Sequence, residues 1–456
     1  MAEISLKKRI WGWFFFDWAS QPYHTVLLTF IFGPFFVSLA SENFLSQGVE
    51  TELAKANAQA MWSFTLTITG LIIGFGAPLL GAMADTGGRR IPWIIGFSLM
   101  LVAGAGGLWF TAPDGGNLMW MLMAFAFGFI GAEYALIFIN AQLPSLGTEE
   151  EIGQISGSAF SFGYAGGVLS LFLILLLFAE QPNGKTLLGL DPGFGLLDAE
   201  TRQGTRFTGP FVALWFMIFM IPYFLWVREV RPTGTRTSVG AALSRLWSTV
   251  RALPAKRSLF AYLGSSMLYR DALNGLYSFG GTFALLVLDF SVVQVGVFGI
   301  IAAIGASVFS YLGGHADKRF GPKPVVITTI LVLMGVCFML VNLSRDAMFG
   351  IPLAEGSMAP DIIFYICGVL IGGMGGVMQS ASRTLMVRHC DPAAPTESFG
   401  LYGLTGRATA FIAPFLIGVA TAVTGSTQLG VSPLLGLFLL GLIMLRWVHP
   451  KGELAP

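Results

Sequence analysis

The sequence predicts an all-α polytopic membrane protein with twelve transmembrane helices in two pseudo-repeat six-helix bundles. Three observations carry that expectation. First, of 456 residues 54% are hydrophobic and only 11% charged, less than half the roughly 25% of a soluble domain. Most of the surface is therefore built for a solvent other than water. Second, apolar runs of about 20 residues, the length that crosses a bilayer, recur at 11–40, 58–84, 91–111, 118–142, 154–179, 207–227, 258–287, 291–313, 324–343, 361–386, 397–424 and 428–447. Third, glycine is abundant, 58 residues, as expected where small residues let membrane helices approach closely.

The ends and the sidedness follow. The start, Met1–Ile10 before a long apolar run, resembles a signal peptide only superficially. The run from Trp11 to Ala40 is too long for that and lacks a small-residue cleavage site, so it is expected to be the first span. An even span count puts both termini on one side. The loops on that side carry eighteen Lys and Arg, from Lys7 to Lys451, against five opposite: Lys55, Lys185, Arg202, Arg206 and Arg345. Positive residues stay inside, so both termini are expected in the cytoplasm. Three cysteines, Cys337, Cys367 and Cys390, read as free thiols.

The longest connection on the terminal side falls midway. It divides the chain into 1–227, a linker at 228–257 and 258–456. Within the linker Leu243, Leu246, Trp247, Val250 and Leu253 recur at helical spacing beside Arg245 and Arg251, which predicts an amphipathic helix on the membrane surface. The halves look like repeats. FFFDWASQ in span one matches LYRDALNG in span seven, setting Asp17 against Asp271. GAMADTGGRR after span two matches GGHADKRFGPK after span eight, setting Asp85 against Asp317.

The candidate functional residues are the charges inside this apolar chain, since such charges are costly. They are Asp17 in span one, Glu133 in span four, Arg270 and Asp271 in span seven, Arg383 in span ten and Arg407 in span eleven. Spans three, six and nine carry none, and span twelve only Arg446 at its terminal-side end. At about 1.5 Å per residue, Arg270 and Arg407 fall near mid-bilayer, and Arg383 is close enough to the terminal side to snorkel. Arg270 and Asp271 are adjacent and point apart. Asp271 shares a face with Asn274, and Gln379 with Arg383. Arg offers a planar fork to a carboxylate, so Arg270 and Arg407, with Asn274, Gln379 and Tyr402, are the expected substrate-binding set. Glu133, Asp17 and Asp271 are the expected proton-coupling set. His24 reads as an interior hydrogen-bonded residue. Pro34, Pro78, Pro222 and Pro414 predict kinks. No catalytic, cofactor or metal-binding motif is visible, and the net charge of +1 offers no pull towards nucleic acid.

Gly81-x-x-x-Asp85-x-x-Gly88-Arg89-Arg90 is the most specific local pattern. It resembles the signature loop between helices two and three of the major facilitator superfamily. Asp85 is expected to accept hydrogen bonds at a neighbouring helix N-terminus, and Arg89 or Arg90 to pair with a carboxylate across the halves. In the second copy, Gly313 to Lys323, Gly321 comes one residue late, which weakens the match around Asp317. FDWASQPYHTVLLTFIFGPFF at 16–36, MLYRDALNGLYSFGGTFA at 267–284, QSASRTLM at 379–386 and FGLYGLTGRATAFIAPFLIG at 399–418 resemble the vacuole effluxer family within that superfamily. The resemblance implies that helices one, four, seven and ten line a central cavity. It implies secondary transport by alternating access, with an amino-acid-like solute exported, a proton as candidate co-substrate, the lipid bilayer of the cell (inner) membrane as environment and a monomer as the working unit. A lipid or hydrophobic-drug transporter is the rival reading. A non-transporting receptor or scaffold is a second rival.

Overall fold

The computed structural model describes residues 4–87, 89–181, 183–228, 239–290, 292–354 and 356–453. Among these, eleven helical segments are long and apolar enough to cross a membrane: Leu6–Ser46, Leu53–Asp85, Ile91–Phe110, Leu118–Ser145, Glu149–Leu177, Gln203–Trp226, Gln294–Phe320, Pro322–Val341, Ala359–His389, Pro395–Thr424 and Leu429–Trp447. A twelfth helix, Arg257–Val287, has ample length at 31 residues. It is more polar because it carries Ser265, Ser266, Arg270, Asp271 and Asn274. In chain order these are spans one to twelve, with Arg257–Val287 as span seven.

Each apolar run found in the sequence is a helix, and most helices run past it by a few residues. Span five begins at Glu149 rather than 154 because Glu149, Glu150 and Glu151 form its first turn, where carboxylates favour the positive helix end. Hydropathy sees the part of a helix in lipid and misses the turns in water. Span one is not regular. Its α-helix Leu6–Pro22 passes into a π-helical stretch, Tyr23–Phe30, breaks at Ile31 and resumes as Phe32–Ser46. Three of the four predicted kink prolines, Pro34, Pro222 and Pro414, sit in the first turn of a restarted helix. The proline there gives up no hydrogen bond. Pro78 alone lies inside a continuous helix.

Contacts group the described residues into two compact units. One comprises 1–76, 87–139 and 162–235. The other comprises 77–86, 140–161 and 236–456. The second unit thus contains the last turns of span two and the chain from Asn140 to Ser161, together with spans seven to twelve.

The first unit is held by aromatic packing and long-range bonds to backbone carbonyls. Trp13 Nε1 donates to Ile139 O at 2.9 Å and Tyr23 OH to Phe125 O at 2.7 Å. Tyr134 OH donates to Ile72 O at 2.6 Å, and a Cβ at Gly76 would collide with that hydroxyl. In the second unit span ten packs along spans eight and nine, and span seven along span twelve. Spans nine and ten are joined by a two-residue hairpin, Ala347–Met348 with Ile351–Pro352. Its turn residues Phe349 and Gly350 both have positive φ, 52° and 75°, which suits the twist of a tight hairpin.

The linker helix exists as Val239–Ala252, and Trp247 and Val250 on it are exposed. The side chains of Leu243 and Arg245, part of the predicted stripe, lie outside the described residues. Cys337, Cys367 and Cys390 are buried free thiols.

Candidate functional site: two helix crossings and a broken span

The end of span two meets the beginning of span eleven. Span eleven starts with the helix Pro395–Ala408, whose first N–H groups need acceptors. Asp85 supplies them. Its Oδ1 accepts the Thr396 hydroxyl at 2.6 Å and its Oδ2 accepts the Glu397 N–H at 2.8 Å. Both partners are buried, at 0% and 2% exposure. Glycine makes this approach sterically possible. A Cβ at Gly81 would lie 2.5 Å from Thr396 O, and one at Gly400 would lie 2.7 Å from Ala77 O. Asp85 therefore caps a helix N-terminus as the sequence predicts. Arg89 is exposed and Arg90 is half-buried before Ile91. Gly88 lies outside the described residues.

The repeat-related crossing joins span eight to span five. A Cβ at Gly157 would lie 2.5 Å from Gly314 Cα, and one at Gly153 would collide with the Asp317 carboxyl. Here the aspartate does a different job. Asp317 is 2% exposed, and among the described residues no hydrogen bond ties either carboxylate oxygen to span five. Thr384 and Arg388 of span ten face it. The N-terminus of span five is capped from within, by Glu151 Oε2 accepting Thr148 N–H at 3.0 Å. Lys318 Nζ donates to Gln154 Oε1 at 2.9 Å, and Gln154 Nε2 lies 3.0 Å from His315 Nε2.

Arg383 is the strongest polar element near this crossing. Its position near the end of span ten suggested a snorkelling side chain, but the structure buries it at 2% exposure. Its Nε donates to Ser156 Oγ at 3.0 Å, Nη2 to Ser156 O at 2.9 Å and Nη1 to Asn140 Oδ1 at 3.0 Å. The guanidinium also lies 4.3 Å over the Phe160 ring. A residue of span ten is thus bonded to spans four and five.

Span eleven is broken. Its first helix ends at Ala408 and the second, Ile412–Thr424, begins after Thr409–Phe411. The adjacent charges of span seven hold the two pieces separately. Arg270 Nη1 donates to Tyr402 O at 3.1 Å, with its guanidinium 4.3 Å over the Tyr402 ring. A Cβ at Gly406 would lie 2.5 Å from that guanidinium. Asp271 is 3% exposed, and its Oδ2 accepts Ala413 N–H, in the first turn of the second piece, at 3.1 Å. Asp271 therefore sits at the positive N-terminal end of the second piece. Arg407 lies half-buried in the last turn before the break, the favourable end for a cation.

Beside this lies a cluster that sequence reading missed. The hydroxyls of Tyr262, Tyr269 and Tyr402 converge on Ser382 Oγ, at 3.2, 2.5 and 3.0 Å. Four hydroxyls scattered over three spans leave no spacing signal. Of the remaining expected ligands, Gln379 is half-buried and Asn274 exposed.

In the first unit, Glu133 is 8% exposed and its Oε1 lies 3.6 Å from His24 Nε2. His24 sits in the π-helical stretch, where the widened turn re-aims side chains. The sequence treated it as an interior residue apart from the coupling set, and the fold places it against Glu133. Asp17 is 9% exposed beside Gly163 of span five, where a Cβ would lie 3.1 Å from its own.

Comparison with known proteins now adds identity to this geometry. Residues 147–452 match the family described as Vacuole effluxer Atg22 like, and residues 3–171 match the Major Facilitator Superfamily. The chain is 24% identical over 451 residues to the uncharacterized MFS-type transporter YxiO of Bacillus subtilis, covering 96% of this chain and 94% of that one. It is 24% identical over 297 residues to Autophagy-related protein 22-1 of Aspergillus clavatus, covering 61% of this chain and 46% of the fungal one. The chain thus spans under half the length of that fungal relative. Among solved structures it resembles the human organic anion transporter MFSD10, with a TM-score of 0.71, 15% identity and coverage of 97% and 100%. It also resembles the E. coli fucose:proton symporter FucP, with a TM-score of 0.66, 14% identity and coverage of 96% and 98%. With twelve spans in the major facilitator fold and a family match over two-thirds of its length, the chain belongs to the Atg22-like vacuole effluxer family of the major facilitator superfamily, a family of multi-pass membrane transporters.

Proposed function

We propose that this transporter exports an amino-acid-like solute by alternating access, with both termini in the cytoplasm and two six-span halves, 1–227 and 258–456, joined by the linker at 228–257. The observation that carries the mechanism is the Asp85 cap on Thr396 and Glu397. It ties the end of span two to the start of span eleven by contacts that a rocking motion has to break and remake. The imbalance of eighteen basic residues on the terminal side against five opposite supports the sidedness, and kinship with vacuole effluxers supports export. Arg407, in the last turn before the break of span eleven, is the first candidate for a substrate carboxylate. Arg270, over Tyr402, is the second, with Asn274 and Gln379 as further contacts. Glu133 with His24 is the candidate proton site. Asp17 and Asp271 stand behind it, Asp271 already having a structural bond to Ala413.

Purified protein in liposomes, screened for efflux of amino acids, peptides and lipids, tests the reading. An amino acid should be transported, and Arg407→Ala should weaken its binding more than that of the corresponding amide. Transport of lipids alone would overturn the substrate class. Equal losses for acid and amide would make Arg407 a structural charge.

A further inference from the structure

A hollow of about 470 Å³ opens where span eight ends and span nine begins. Phe320, Gly321, Lys323, Ile327, Arg388 and Thr328 line it, together with Pro324 and Pro450. Two cations stand in it, and both are held in place by the tail that follows span twelve. Lys323 Nζ donates to Val448 O at 2.7 Å, and Arg388 Nη1 donates to Pro450 O at 3.0 Å. Each keeps further donors. Arg388 Nε is buried and has no hydrogen-bond partner among the described residues, an expensive state for a charged group. Asp317 faces Arg388 from span eight; it is 2% exposed and is not among the residues that line the hollow. Gly321 has φ 84°, and a Cβ there would come to 3.5 Å from Arg388 Nη1.

The remaining wall is apolar. Phe320 is 61% exposed, and Pro324 and Ile327 continue the same side along the first turns of span nine. Fixed cations beside an exposed apolar wall, at the end of membrane spans, fit a ligand that carries an anion on an apolar chain. We propose that this hollow binds the phosphate of an anionic phospholipid from the leaflet on the side of the termini. Lys323 and Arg388 would hold the phosphate and the Phe320–Ile327 wall an acyl chain. Basic hollows between membrane helices are suited to such headgroups.

The test is native mass spectrometry of the full chain released from nanodiscs of phosphatidylcholine doped with phosphatidylglycerol. The protein should retain phosphatidylglycerol selectively. A double variant, Lys323→Gln with Arg388→Gln, should weaken that retention roughly thirtyfold. Thr328→Trp, which fills the hollow from its lining and leaves both cations, should abolish retention too and guards against a folding artefact of the double variant. Arg446→Gln, outside the hollow, should leave retention unchanged. Thermal unfolding in detergent separates the sources of phosphate. Protection by phosphatidylglycerol but not by inorganic phosphate is the expected result. Equal protection by inorganic phosphate, or retention of phosphatidylglycerol undiminished in both the double variant and Thr328→Trp, would overturn the assignment.

Discussion

Asp85 and Asp317 end repeat-related spans in repeat-related sequence contexts, and each sits at a glycine-lined crossing. Asp85 is bonded to a hydroxyl and an N–H at the start of span eleven. Asp317 is deeper and makes no hydrogen bond to the helix it crosses among the described residues. The difference lies in the helix each one faces. Span eleven begins Pro395-Thr396-Glu397 without a capping side chain of its own. Span five carries a capping box in which Glu151 takes the Thr148 N–H. Asp317 lies against Gly153, beyond that self-capped first turn. Beside the second crossing, span five is fastened instead to span ten, by Arg383, which grips Ser156 and Asn140. Repeat symmetry thus preserves where the helices cross but not which residue fastens them.

This contrast sets an order of expected effects. The largest belongs to Arg383. Arg383→Gln removes three charge-assisted bonds from a fully buried site and should destabilise the protein by about 3–5 kcal/mol, read as a lowered melting temperature in detergent. A change under about 1 kcal/mol would mean that the glycine contacts alone hold that crossing.

Gly81→Val tests the steric half of the first crossing. A side chain there meets the Thr396 carbonyl, and overpacking should cost about 1–3 kcal/mol. The cost should fall on the state in which spans two and eleven touch. Transport rates should change while the total yield of folded protein stays near that of the unaltered chain. Unaltered transport would show that the crossing never opens in the cycle.

Thr396→Val removes one of the two bonds to Asp85 and keeps the N–H. It should weaken the crossing by about 1–1.5 kcal/mol, the worth of one hydrogen bond. The population of the opened form should rise by about a factor of ten or less. A combined Thr396→Val and Asp85→Asn variant should be little worse than Asp85→Asn alone, because both act on one contact. Additive losses would place Thr396 in some other interaction.

Much of this was legible in the sequence, and the reasons are physical. Span positions were legible because lipid demands about 20 apolar residues regardless of fold. Asp85 was legible because a capping aspartate needs a glycine-lined approach at fixed spacing. Arg383 was legible only as a charge. Depth along a helix suggested that it could snorkel, and nothing in one sequence says that Ser156 and Asn140 stand opposite. The break in span eleven was half legible. Pro414 announced an irregularity, but the gap lies before it, at Thr409–Phe411, where Arg270 and Asp271 hold the two pieces. The pairing of His24 with Glu133 was invisible because a π-helical stretch changes the angular spacing on which face arguments rest. Charges could be found from composition, whereas their partners required the fold.

The central claim, that Asp85 fastens a crossing which Asp317 does not, is tested most directly by paired neutralisation. Ala394, immediately before the span eleven helix, is 3% exposed and serves as a reporter when replaced by Cys in a chain lacking the three native cysteines. The rate at which a membrane-impermeant maleimide labels that Cys from the terminal side measures opening of the crossing. Asp85→Asn loses a charge-assisted pair of bonds, about 1.5–3 kcal/mol, and should raise the rate roughly ten- to hundredfold. Asp317→Asn has no such bond across its crossing to lose and should leave the rate unchanged. Equal acceleration by both substitutions, or no acceleration by Asp85→Asn, would contradict the account.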